Sequence, residues 1–198
     1  MIAAAAGVAA AMGHHPSTPH GGALAGTVHG LMIALLLVLG WGFVIFAKAR
    51  GISRPLIVPG LIAYAVSVFA HVGAATINGF VVPALAGSQI PLVNHDVFRL
   101  AWESNQALAR LGVYLTGVAY LLWSIDLLRD RIFAVRSLGV LGLVAGGAPL
   151  ALLGLGLLRM DVAGAFLIYV LHVAWAAMVG AMIWRGALGD RAEVEGAV

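Results

Sequence analysis

Three histidines of this chain, His29, His71 and His172, fall inside long apolar runs. Neutral imidazole ligates iron, copper and zinc, and it titrates near neutral pH. Two such groups on facing helices can hold a haem b, with His71 and His172 the expected axial pair and His29 the alternate ligand. Three of them with a carboxylate can hold a non-haem metal, and Glu103 is the carboxylate placed to join them. Arg110, seven residues further along, would meet a haem propionate or pass protons with Glu103. Tyr64 and Asn78 stand at helical spacing from His71 and complete one polar stripe with Ser67.

Several other chemistries are closed. The chain has no cysteine, which removes thiolate nucleophiles, disulfides and iron–sulfur clusters. Its only lysine, Lys48, lies at the end of an apolar run, so no Schiff base can form in the middle of one. No phosphate-binding loop, nucleophile elbow or dinucleotide fingerprint occurs. The paired histidines of helix-borne metal enzymes, four residues apart, are also missing.

The elements that would position these residues are written in the composition. Of 198 residues, 62% are hydrophobic and 10% charged, and mean hydropathy is +1.03. Soluble domains carry about 25% charged residues. Residues 1–47, 55–95, 137–158 and 162–184 contain no charge at all. About 20 apolar residues cross a hydrocarbon core, and backbone in lipid must satisfy its own hydrogen bonds. The expected fold is therefore an all-α polytopic membrane protein. Its five transmembrane helices lie near 25–47, 56–83, 98–128, 134–158 and 162–185.

Cation placement gives the expected direction. Lys48, Arg50 and Arg54 follow the first helix, Arg129, Arg131 and Arg136 the third, and Arg185 and Arg191 the fifth. Only Arg99 and Arg159 lie at the other ends. By the positive-inside rule the N-terminus is outside and the C-terminus inside. Residues 186–198 then form a cytoplasmic tail of a multi-pass protein of the cell membrane. Residues 1–23 read as an uncharged outer tail, because a secretory signal would begin with a basic segment. Its HHPSTPH stretch could recruit a metal ion to that face. The sequence pI near 9.8 reflects orientation, and no basic soluble face suited to nucleic acid exists.

On these helices the histidines map to the outer half of the bilayer or, for His172, near its middle, and ionisable groups there face the bundle interior. The third helix places Glu103, Gln106, Arg110 and Tyr114 along one face. It admits two arrangements, an inward partnered one and one in which Arg110 snorkels outward and Glu103 projects above the bilayer. Small-residue rows at Gly22, Gly26 and Gly30, and at Gly142 and Gly146, let backbones approach closely. They offer faces for a partner subunit or a second copy, and the first row makes room beside His29 for a helix or a flat cofactor. Pro149 is expected to kink the fourth helix.

The functional expectation is a small membrane redox protein carrying haem b or a histidine-bound metal (Fe, Cu or Zn). The alternative is a non-catalytic membrane subunit or a proton-coupled small-molecule transporter using the same cavity. A third reading is a membrane hydrolase with a histidine-bound zinc and an activated water near Glu103. In outline, five helices with facing histidines resemble membrane b-type cytochromes such as the anchor subunits of quinone-linked dehydrogenases, though no motif is shared.

Overall fold

The computed structural model describes residues 1–14, 22–87 and 95–188. It is all-α, with five long apolar helices able to cross a membrane. These are α2 (Gly22–Arg50), α3 (Ile57–Thr76), α5 (His95–Leu128), α6 (Phe133–Gly154) and α7 (Val162–Trp184). A π-helical turn (Ile77–Val81) joins α3 to the short α4 (Val82–Gly87), so one continuous rod serves as the second crossing. Large apolar side chains face outward along the rods, among them Trp41, Phe69 and Phe133, which is the surface a lipid bilayer covers. Trp184 is 88% exposed at the end of α7, where an interfacial tryptophan belongs.

The expected bounds of α6 ran four residues too far. Gly156 adopts φ +69°, and the Leu157 amide donates to the Leu152 carbonyl at 2.9 Å, while Gly156 donates to Leu153 at 3.1 Å. This glycine-terminated cap satisfies the last carbonyls and turns the chain out of the helix. Asp161 then starts α7, its Oδ1 accepting from the Gly164 amide at 2.8 Å. Pro149 lies inside α6 and cannot donate to the carbonyl four residues back, Ala145.

The N-terminal segment is a helix of its own: α1 (Ile2–Gly13) packs between α2 and α7. Gly42 and Gly180 admit Met1, and Gly7 admits Leu35, so the helix sits against the two rods. Its composition permits this packing. Alanine-rich apolar sequence without charge is equally suited to translocation and to burial. Of the histidines around the HHPSTPH stretch only His14 is described, exposed and close to the Ala10 carbonyl. The remainder of that stretch and most of the C-terminal tail lie outside the described residues.

An aromatic core fills the bundle on the side of its arginine-rich end. Phe43 stacks on Trp123 at 4.8 Å, and Tyr120 meets Trp175 at 4.2 Å. Each buried polar handle finds a carbonyl: Trp123 Nε1 donates to Ile57 at 3.1 Å and Trp175 Nε1 to Leu138 at 2.9 Å. The glycines of α6 serve this packing. A Cβ on Gly146 would lie 2.7 Å from the Gly117 carbonyl, and one on Gly142 would meet Ser124 Oγ and Trp175. That row is therefore spent on α5, inside the chain.

Below the aromatic core a buried ion cluster closes the arginine-rich end. Arg50 donates to Asp126 through Nε (3.0 Å) and Nη2 (2.9 Å), and to Asp130 through Nη1 (2.8 Å). Arg54 reaches Asp126 Oδ1 at 3.0 Å. Arg50 and Asp126 are 4% and 3% exposed, so each depends on the other for the solvation it lost.

Candidate functional site

At the opposite end the helices separate around a cavity of about 190 Å³. On a comparable measure one water needs about 10–15 Å³, so there is room for several waters or a small ligand. Its polar lining comes from His29 on α2, His71 on α3, Asn78 on the π-helical turn, Asn105 and Gln106 on α5, Asp161 before α7, and Tyr169 on α7. Three of the sequence-based site residues, His29, His71 and Asn78, are thus brought together.

Local structure explains how each arrives. His29 packs on Gly79, where a Cβ would lie 2.5 Å from the histidine's own Cβ. The glycine face of α2 has a definite neighbour: Gly26 and Gly30 receive the Phe80 ring at 3.5 and 3.7 Å. Both residues they meet belong to the π-helical turn. One extra residue in that turn shifts the phase of the rod and carries Asn78 to His29. The Asn78 amide nitrogen lies 3.2 Å from His29 Nε2, and His29 Nδ1 lies 2.7 Å from the Ala25 carbonyl. A carbonyl only accepts, so Nδ1 carries the proton and Nε2 accepts from Asn78. Both ring nitrogens are thereby engaged, and the tautomer is fixed.

His71 is arranged differently. Its ring lies on Gly112, and its Nδ1 shares a 2.8 Å hydrogen bond with the Tyr169 hydroxyl. Nε2 has no partner among the described residues and belongs to the cavity side. When Nδ1 donates to Tyr169, Nε2 presents a lone pair; when Tyr169 donates, Nε2 presents N–H. One side chain can therefore offer either a donor or an acceptor to a ligand. Asn105 and Gln106 likewise find no side-chain partner among the described residues. Polar groups in so apolar a setting are solvated by water or by ligand.

The other site residues go elsewhere. His172 is buried but does not line the cavity; its ring meets Tyr120 edge-on at 5.2 Å. It lies near the Ala145 carbonyl, the group that Pro149 leaves unpaired in the helix, while its Nε2 has no partner among the described residues. Tyr64 stacks against Tyr120 at 6.4 Å within the aromatic core. Glu103 and Arg110 lie on the exposed side of α5, the outward arrangement. Among the described residues no three of His, Asp and Glu gather as a metal-binding group.

The inward face of α5 is instead Asn105, Ala109, Gly112, Val113 and Thr116, offset by two residues from the charged stripe. Its signal is a row of small residues, which the attention to charge passed over. Thr116 donates to Ser67 Oγ at 3.0 Å and joins α3 to α5 beneath His71. Asp126 was also missed, because the arginines around it were read only as topology markers. A lone carboxylate near the end of an apolar run was the available signal.

Fold and site together define a class: a multi-pass helical membrane protein with a polar cavity sealed from one end. Compared with protein-family models, curated proteins and solved structures, the chain matches none of them.

Proposed function

We propose that this is a membrane-embedded binding protein of the transporter or accessory-subunit kind, which takes a small ion or molecule into the cavity from the outer face of the cell membrane. The observation that carries the reading is the asymmetry of the bundle. Unpartnered polar groups on α3 and α5 face one cavity, while the aromatic core and the Arg50–Asp126–Asp130–Arg54 cluster close the other end. The cation distribution along the chain turns that end toward the cytoplasm. At about 190 Å³ the cavity is below the roughly 300–1,000 Å³ of pockets for drug-sized ligands, which favours a small occupant.

A chain without cysteine makes the test direct. Ala75→Cys and Ala109→Cys, both lining the cavity, should react with a small membrane-impermeant thiol reagent applied from outside. Ala119→Cys and Ala176→Cys, in the closed half, should not. Equal protection of all four positions, or reaction from the cytoplasmic side alone, would refute the reading.

A second reading, a redox protein with haem b or a histidine-bound metal, is favoured by one observation, the buried and unpartnered Nε2 of His172. His71 Nε2 is the other available nitrogen. This reading asks for a site that extends beyond the cavity to His172. The absorbance spectrum of protein made with ample haem, together with elemental analysis, decides it: a Soret band or stoichiometric metal lost in His172→Ala supports it, and neither signal ends it.

A further inference from the structure

The same cavity has a second set of donors that the histidines obscure. Met12 at the end of α1, Met32 on α2 and Met160 before α7 all line it, three of the chain's six methionines. Each is buried, at 5–6% exposure, and each comes from a different part of the chain. Met12 and Met32 also belong to the buried cluster that continues into the aromatic core, and Met160 packs with Ala74, Ala109 and Val113, so the three side chains pack and line the cavity at once. His71 Nε2 adds a neutral nitrogen without a protein partner on the same lining.

We infer that the cavity is a site for a soft monovalent cation, copper(I), held by the thioethers of Met12, Met32 and Met160 with the His71 imidazole. The inference rests on the cavity reading above and names its ligand. Ligand chemistry selects the ion. Thioether sulfur is a soft donor that favours copper(I), whereas calcium and magnesium require oxygen ligands. Charge selects it again. The described lining holds one carboxylate, Asp161, and its Oδ1 is occupied as the cap of α7. A divalent ion would enter a low-dielectric bundle with no anion to balance it, while a single positive charge on neutral donors costs far less. Among the described residues the histidine and carboxylate groups that zinc or iron would need do not assemble. Binding leaves the ion's oxidation state unchanged, and the copper enters and leaves as copper(I). With the cavity open at one end, this is a way station for the ion in the membrane.

The test is anaerobic titration of the purified full chain in detergent with copper(I), in competition with a chromophoric copper(I) chelator. One equivalent should bind, and X-ray absorption of the loaded protein should show sulfur in the first shell. Met32→Leu together with Met160→Leu conserves volume and removes two sulfurs. Losing even an outer partner of a metal ligand typically weakens binding about 10–100-fold, so the double variant should bind at least tenfold more weakly. Failure of the wild-type chain to bind copper(I), a first shell without sulfur, or unchanged affinity in the double variant would overturn the inference. The X-ray result stands on the wild-type protein alone and does not depend on how the variant folds. Labelling at Ala75→Cys separates the two claims: an accessible cavity that binds no copper(I) refutes the metal alone, and an inaccessible one refutes both.

Discussion

The ring of His71 rests directly on Gly112: a methyl group there would lie 2.5 Å from its Nδ1 and Cε1. The absence of a side chain on α5 is what allows α3 to turn a histidine into the cavity and toward Tyr169. This relationship is steric, and it makes the position of a cavity-lining imidazole depend on a glycine in another helix.

Gly112→Ala should therefore push His71 from its seat and separate it from Tyr169. Overpacking of this kind costs about 1–3 kcal/mol. Gly40→Ala is the control, since a Cβ there meets nothing within 4 Å; it should be neutral or slightly stabilising, as alanine is the better helix former by about 1 kcal/mol. Unfolding in mixed detergent compares the two, and equal effects would contradict the packing described.

Tyr169→Phe removes the hydroxyl but keeps the ring. His71 Nδ1 then loses its 2.8 Å partner in a buried setting, and an unsatisfied group of this kind costs about 1–3 kcal/mol. Histidine nitrogen chemical shifts should report a changed tautomer balance at His71 and none at His29, whose tautomer the Ala25 carbonyl holds.

Asp126→Ala removes two of the three hydrogen bonds of Arg50 and leaves it Asp130 alone, in a site where it is 4% exposed. Breaking a buried pair by removing one partner costs about 3–5 kcal/mol. Asp126→Ala combined with Arg50→Met should recover part of that loss, because the buried cation that kept only Asp130 as a partner is gone. A double variant no more stable than the single one would show that the cluster does not act as a pair.

Asp130 gives the pH dependence. Burial pushes its carboxyl up, but the Ile132 amide and the Arg50 and Arg54 guanidinium groups outweigh that effect and hold it below its ordinary value of 3.8. A depressed carboxylate adds stability that is present above 3.8 and lost as pH falls through the folded value. Asp130→Asn should accordingly be less stable than wild type at neutral pH. Thermal unfolding followed downward through the carboxylate range should show the two curves converging; a constant gap would remove Asp130 from the ion cluster.

The number of long apolar helices was legible because lipid leaves a charge-free run only one way to satisfy its backbone. That is why α2, α5, α7 and the continuous rod of α3, the π-helical turn and α4 begin and end within a few residues of expectation, and why His29 and His71 reach one cavity. The direction each side chain takes around its helix was not legible. A rod that is apolar on every side has no amphipathic asymmetry to read, and its facing is decided by how small residues let neighbours approach. Glu103 and Arg110 take the outward of their two possible arrangements for this reason, while Asn105, Ala109 and Gly112 form the inward face of α5. The π-helical turn that brings Asn78 to His29, the burial of α1, and the closure of one end by Asp126 all depend on contacts between segments far apart in the chain. Composition determined the solvent and the crossings; the fit of one helix against another decided which of its polar groups meet.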